Sequence, residues 1–166
     1  MAIRSSSSFR SVFAFGLYGL CLCGPLSAHA DAPPRKEVKA LVMAAMKDDT
    51  VTMQRLLSQG LNVNAPVEDG RSLLFYAIAY QRVKSVTFLL AHGADLRARD
   101  REGKSPLHWA VRVSSPLTTL LVDKGAEVDA ADKSGETPLF QAILHNPTRA
   151  IYLIDHGASV TTRNNK

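Results

Sequence analysis

Ser105 and His108 stand three residues apart, a spacing at which a hydroxyl and an imidazole can act as nucleophile and base. The phrase around them, Ser105-Pro-Leu-His108, argues for a different job. A serine just before proline caps a helix that the proline begins, and an imidazole three residues on ties the cap to the helix. The other histidines beyond residue 30 are His92, His145 and His156. His92 and His156 each precede a glycine that closes an apolar run, where the helix dipole favours a histidine without any catalytic role. His145 precedes Asn146-Pro147, and no histidine pairs with Asp or Glu at metal-binding helical spacing. The carboxylates Asp48 and Asp49 fall at a loop, where solvation is expected. Both cysteines, Cys21 and Cys23, lie in an N-terminal apolar stretch. Once that stretch is removed, there is no thiol nucleophile, disulfide or thiolate zinc site. There is no phosphate-cradling loop and no dinucleotide fingerprint. The expectation is a chain without catalytic residues, metal or cofactor, and so not an enzyme. A hydrolase resting on His108 is the enzymatic alternative.

The first thirty residues read as an address. Met1 to Arg10 is short, basic and serine-rich, Val12 to Cys23 is apolar, and Gly24-Pro25 breaks any helix. Ala28-His29-Ala30 then offers the small residues a signal peptidase accepts. Cleavage is expected between Ala30 and Asp31. The apolar run is shorter than the roughly 20 residues needed to cross a bilayer. A leucine before each cysteine disfavours a lipoprotein. The chain has a net charge of +5. Arg4 and Arg10 fall within the leader, leaving 18 basic against 15 acidic residues in 31–166, too mild a balance to argue for nucleic acid. The expected organisation is a signal peptide (1–30), a polar lead-in (31–35), a repeat domain (36–163) and a short tail (164–166).

What must position any functional side chain is a repeated unit. Gly60, Gly93, Gly125 and Gly157 recur at spacings of 33, 32 and 32, each after an apolar helical run. Such a glycine supplies the left-handed residue that ends a helix. A second phrase precedes each of the last three: Gly70-Arg-Ser-Leu-Leu-Phe, Gly103-Lys-Ser-Pro-Leu-His and Gly135-Glu-Thr-Pro-Leu-Phe. Each unit therefore reads as turn, short helix, loop, longer helix, glycine stop. Two phased motifs recurring together predict a stack, because one helix pair cannot bury both of its faces.

These phrases resemble the ankyrin repeat, whose pattern includes G-x-T-P-L-H-x-A and, further on, L-L-x-x-G-A. The resemblance covers residues 36–163. It implies an all-α solenoid of four stacked helix–turn–helix repeats, about 36–65, 66–98, 99–130 and 131–163, with short β-turn or hairpin tips. The first repeat is atypical, with Lys39-Ala-Leu-Val in place of the Thr-Pro-Leu-His phrase. The second has Leu73 and Phe75 where proline and histidine are usual. The third and fourth lose one residue between their helices, where Ser115-Pro116 and Asn146-Pro147 each offer a cap followed by proline.

The resemblance also implies partner binding through turn tips and the groove side of the first helices. One residue past the His/Phe of the phrase come Met43, Tyr76, Trp109 and Gln141, and one turn later Met46, Ala79, Arg112 and Leu144. Tyr80 lies beside them. Tyr, Trp, Met and Arg are types enriched at binding hot spots. In the turn between repeats two and three, Arg97, Arg99 and Arg101 are candidates for a carboxylate-rich partner. The expected function is a non-enzymatic protein-binding module in the periplasm, a monomer meeting neither nucleic acid nor membrane, which inhibits or protects against a periplasmic or cell-wall enzyme. The alternatives are a secreted effector acting on host proteins and an accessory protein assisting a periplasmic enzyme such as a catalase. The thin covering after the last helix admits a weak dimer seam.

Overall fold

The computed structural model describes residues 35–67 and 70–161; the leader, its expected cleavage point at Ala30–Asp31 and the tail from 164 lie outside them. Among the described residues the regular elements are eight helices in four pairs: α1 (Arg35–Met46) with α2 (Thr50–Ser58), α3 (Leu73–Ala79) with α4 (Val83–Ala91), α5 (Pro106–Val113) with α6 (Ser115–Asp123), and α7 (Pro138–His145) with α8 (Pro147–Asp155). The first helices stack on one another in the order α1, α3, α5, α7. The second helices form the other layer. None is long and apolar enough to cross a membrane.

The core lies between and within these layers. Leu41, Leu74, Leu107 and Leu139 hold equivalent places on the first helices, as do Ala44, Ala77, Ala110 and Ala142, and all are buried. Each fully buried leucine contributes about 1.5–3 kcal/mol. The alanines let the helices approach closely. The second helices add Met53, Val86, Leu89, Leu117, Leu121 and Leu153, none measurably exposed.

Local chemistry fixes the helix ends. Gly93 has φ +82, donates to the Leu90 carbonyl, and leaves Ala94 N–H to reach the Leu89 carbonyl at 2.9 Å. This pair of bonds closes a helix at a left-handed residue. At their starts, Pro106 and Pro138 occupy the first turn, preceded by Ser105 and Thr137. The shortened loops are single residues. Asn146 ends α7 and caps α8, as its place before proline suggests. In the third repeat the cap is Ser114, not Ser115: Ser114 accepts from Leu117 N–H, and Ser115 is already helical. The longer loops of repeats one and two absorb their extra residue at Asp48 and Gln81, both with φ near +60°.

Between pairs, the chain makes tight hairpin tips. Asp100 N–H meets the Lys104 carbonyl at 3.1 Å, and Asp132 N–H meets the Glu136 carbonyl at 2.9 Å. The Oδ1 atoms of Asp100 and Asp132 accept two further backbone N–H groups each, which fastens both tips. Neighbouring tips are joined by Lys133 N–H to the Glu102 carbonyl at 3.0 Å.

Candidate protein-binding surface

Ser105 N–H donates to His108 Nδ1 at 3.1 Å, and Ser105 Oγ lies 2.8 Å from the same nitrogen. Nδ1 therefore accepts, which leaves Nε2 to donate to the Glu136 carbonyl of the next repeat at 3.0 Å. His108 is wholly buried, and Ser105 nearly so. Burial holds the imidazole below its ordinary pKa range, opposed by the bond to Glu136. Every polar atom of this pair is committed inside the fold, where a substrate cannot reach it. The pair is a strut between two repeats. Where Phe75 replaces the histidine in repeat two, Ser72 Oγ is buried with no hydrogen-bond partner. His92 and His156 cap their helices as expected, each Nδ1 2.8 Å from a carbonyl one turn back, and each stacked on the aromatic ring before it.

The expected ladder on the first helices is partly exposed. Met43 and Tyr80 are 51% and 50% exposed, Arg112 is exposed, and Leu144 reaches 62%. Arg112 and Leu144 hold equivalent places on successive repeats, so stacking lines them up. Tyr76 is half-buried.

Two expected members of the ladder do other work. Gln141 is buried, and its amide donates to Glu136 at 2.7 Å, so it presents nothing to a partner. Trp109 is half-buried and held on three sides. Its indole N–H donates to Asp100 at 3.0 Å, its ring stands nearly perpendicular to Phe75 with centroids 6.3 Å apart, and the Arg71 guanidinium sits 4.7 Å over its ring. A cation over an indole face is attracted by the ring quadrupole. Trp109 thus anchors a hairpin tip to its helix, with only part of its surface left for contact.

The three tip arginines divide similarly. Arg97 is exposed. Arg99 is part of the fold: its guanidinium donates to the Arg97 carbonyl and pairs with Glu127 of the next turn, both at 3.0 Å. Arg101 is exposed and lines a cleft of about 210 Å³ with Arg71, Asp100 and Glu102.

Sequence reasoning missed Arg71 and Asp100, which complete the Trp109 site, and Arg82 and Arg149. These last two reach back to carbonyls at or near the end of the preceding first helix, Met46 at 2.7 Å and Val111 at 2.6 Å. The Asp100 signal was present as a phased aspartate three residues before Gly103, repeated as Asp132 before Gly135. The arginine contacts have no such phase.

Comparison with known proteins agrees with this geometry. A family model described as ankyrin repeats (3 copies) matches residues 18–100 and 94–164. The chain is 39% identical over 83 residues to mouse NF-kappa-B inhibitor delta, covering 49% of this chain and 25% of that protein. It is 36% identical over 85 residues to mouse 2-5A-dependent ribonuclease, covering 50% and 11%. An ankyrin repeat protein of Acanthamoeba polyphaga mimivirus is 38% identical over 65 residues, covering 39% and 9%. The chain spans at most a quarter of the length of these relatives. With phased turn phrases, glycine stops, four stacked helix pairs and a family match across most of its length, the chain belongs to the ankyrin-repeat family, whose repeats serve as protein-interaction scaffolds.

Proposed function

We propose that this chain is an exported, non-catalytic binding module of the bacterial periplasm. It grips a protein partner with the open face of its first helices and its hairpin tips, and thereby inhibits or shields against a periplasmic or cell-wall enzyme. The observation that carries the binding surface is the exposure of Met43, Arg112 and Leu144 on the first helices and of Tyr80 at the end of α3. Aromatic and arginine side chains on such a face are the usual anchors of interfaces. Arg97 and Arg101 extend it toward the tips, where guanidinium groups suit acidic side chains. The order of basic, apolar and small-residue segments before Asp31 supports export.

The test is affinity capture from periplasmic extract with the wild-type chain, Tyr80→Ala and Arg112→Ala. Trp109→Ala is a poor probe because it would also loosen the tip held through Asp100. A partner retained by wild type and lost from both variants, each still folded by circular dichroism, supports the reading. Equal retention by all three removes the groove. Fractionation with N-terminal sequencing tests export, with Asp31 expected as the mature first residue and an intact cytoplasmic chain contradicting it.

A further inference from the structure

Between the second helices of repeats three and four the stack opens into a cleft of about 210 Å³. Ser115, Thr118 and Thr119 of α6 form one wall, and Thr148, Arg149 and Tyr152 of α8 form the other. One repeat earlier the equivalent positions close on carbon. There Val86 stands where Thr118 is, and Leu117 and Leu120 stand where Arg149 and Tyr152 are. Val86 and Leu117 are wholly buried, and Leu120 packs partly buried against the same core. The change to polar side chains thus falls on both walls of one gap, where packing alone favours apolar ones.

Arg149 is fixed in its wall. Its Nε donates to Ser115 Oγ at 2.9 Å and its Nη1 to the Val111 carbonyl at 2.6 Å. The rest of the guanidinium has no acceptor among the described residues. Because Ser115 Oγ accepts from Arg149, its own proton remains to be donated. Thr119 and Thr148 are exposed, and neither hydroxyl has a partner among the described residues. The Tyr152 hydroxyl is buried with no hydrogen-bond partner. Such an orphan is a standing cost to the fold that a bound group can remove. No carboxylate lines the cleft among the described residues. The available groups therefore share one sign: a guanidinium edge, hydroxyl protons on both walls, and the first turns of two helices, whose dipoles are positive at this end.

We propose that this cleft binds a tetrahedral oxyanion, a phosphate or sulfate group, held by Arg149 and the hydroxyls of Ser115, Thr119 and Thr148, with Tyr152 completing the set. Guanidinium N–H groups suit two oxygens of such a group at once. Hydroxyls on two facing walls suit its remaining oxygens, which a flat carboxylate lacks. The site lies on the second helices, so it draws on none of the first-helix side chains of the proposed protein-binding face.

NMR titration of the 15N-labelled full chain, with reductant because of Cys21 and Cys23, tests this. Inorganic phosphate, glycerol phosphate and acetate are added separately, each against sodium chloride of equal ionic strength. Inorganic phosphate or the ester should saturate one site with a Kd of about 0.1–10 mM. The amide shifts should be confined to residues 115–119 and 148–152. Whichever of the two binds tighter identifies the group as free or esterified. Acetate should bind about tenfold more weakly, having fewer oxygens for the donors. Thr119→Val and Thr148→Val keep the side-chain shape at exposed positions, and each should weaken phosphate binding about three- to tenfold with unchanged circular dichroism. Arg149→Met should abolish saturation. That variant also loses the tie to Val111, so the threonine variants decide the matter if it unfolds. Tyr152→Phe should bind less tightly yet melt no lower than wild type, because it removes the orphaned hydroxyl. Shifts that do not saturate, saturation elsewhere in the chain, acetate binding as tightly as phosphate, or unchanged affinity in Thr119→Val, Thr148→Val and Tyr152→Phe alike would overturn the proposal.

Discussion

Repeats three and four carry nearly the same turn phrase, Gly-Lys-Ser-Pro-Leu-His and Gly-Glu-Thr-Pro-Leu-Phe, yet the residue that ends it meets opposite fates. His108 is sealed beneath α7 and bonded on both ring nitrogens, while Phe140 is 36% exposed. The difference lies in the neighbour, because repeat four has no following helix pair among the described residues. In a stack, burial is conferred by the next unit. The same phrase thus makes an interior strut in one repeat and an open surface in the other.

The largest effect should come from breaking the strut. His108→Ala removes a buried ring, leaves Ser105 N–H without its imidazole acceptor and takes from the Glu136 carbonyl one of its two donors, the other being Asp132 N–H, at a cost of about 2–4 kcal/mol. Phe140→Ala, at the equivalent place, should cost less than about 1.5 kcal/mol because its ring is already partly in water. Urea denaturation of both variants measures the contrast, and equal losses would break the comparison.

The pH dependence sharpens it. His108 has a lowered pKa in the folded state, chiefly from burial. The unfolded chain therefore takes up a proton first, and stability should fall as pH drops from about 6.5 toward the lowered value. Denaturation midpoints between pH 8 and pH 5 should show this decline in wild type, and His108→Ala should show less of it.

A second pair of positions contrasts backbone demands. Gly103 has φ +81, and a Cβ there would lie 3.0 Å from Lys133 N in the next tip. Gly157 has φ +90 with nothing within 4 Å. Gly103→Ala should therefore cost about 2 kcal/mol and Gly157→Ala about 1 kcal/mol, the excess arising from the repeat that follows. Thermal melts give the ordering, and its reversal would deny that the tips are in contact.

The smallest effect belongs to the tip ion pair. Arg99 and Glu127 stay 33% and 56% exposed, so Arg99→Ala should change stability by no more than about 0.5 kcal/mol. A larger loss in denaturant titration would make Arg99 a structural anchor on the scale of His108.

Much of this architecture was legible in the chain. The phased glycines marked the end of every helix pair and the turn phrases the start of the last three, because helix stops and, in repeats three and four, proline-led starts are local events. The Ser105–His108 tie and the C-terminal seats of His92 and His156 followed from the same local rules. The surface was harder to read. Gln141 shares the repeat position of Trp109, yet Glu136 draws it inward, and Arg71 claims the face of Trp109 from one repeat away. Arg99 looked free until Glu127 of the following turn was placed beside it. Each difference comes from a side chain about five residues or a whole repeat distant, which phase alone does not specify.

The central claim is that the open side of the first helices meets a protein. A photo-crosslinking amino acid at position 80, in cells that make the protein, tests it, with the still more exposed position 151 as control. A discrete protein adduct should form from position 80 and none of that mass from position 151. The same adduct from both positions, or from position 151 alone, would contradict it.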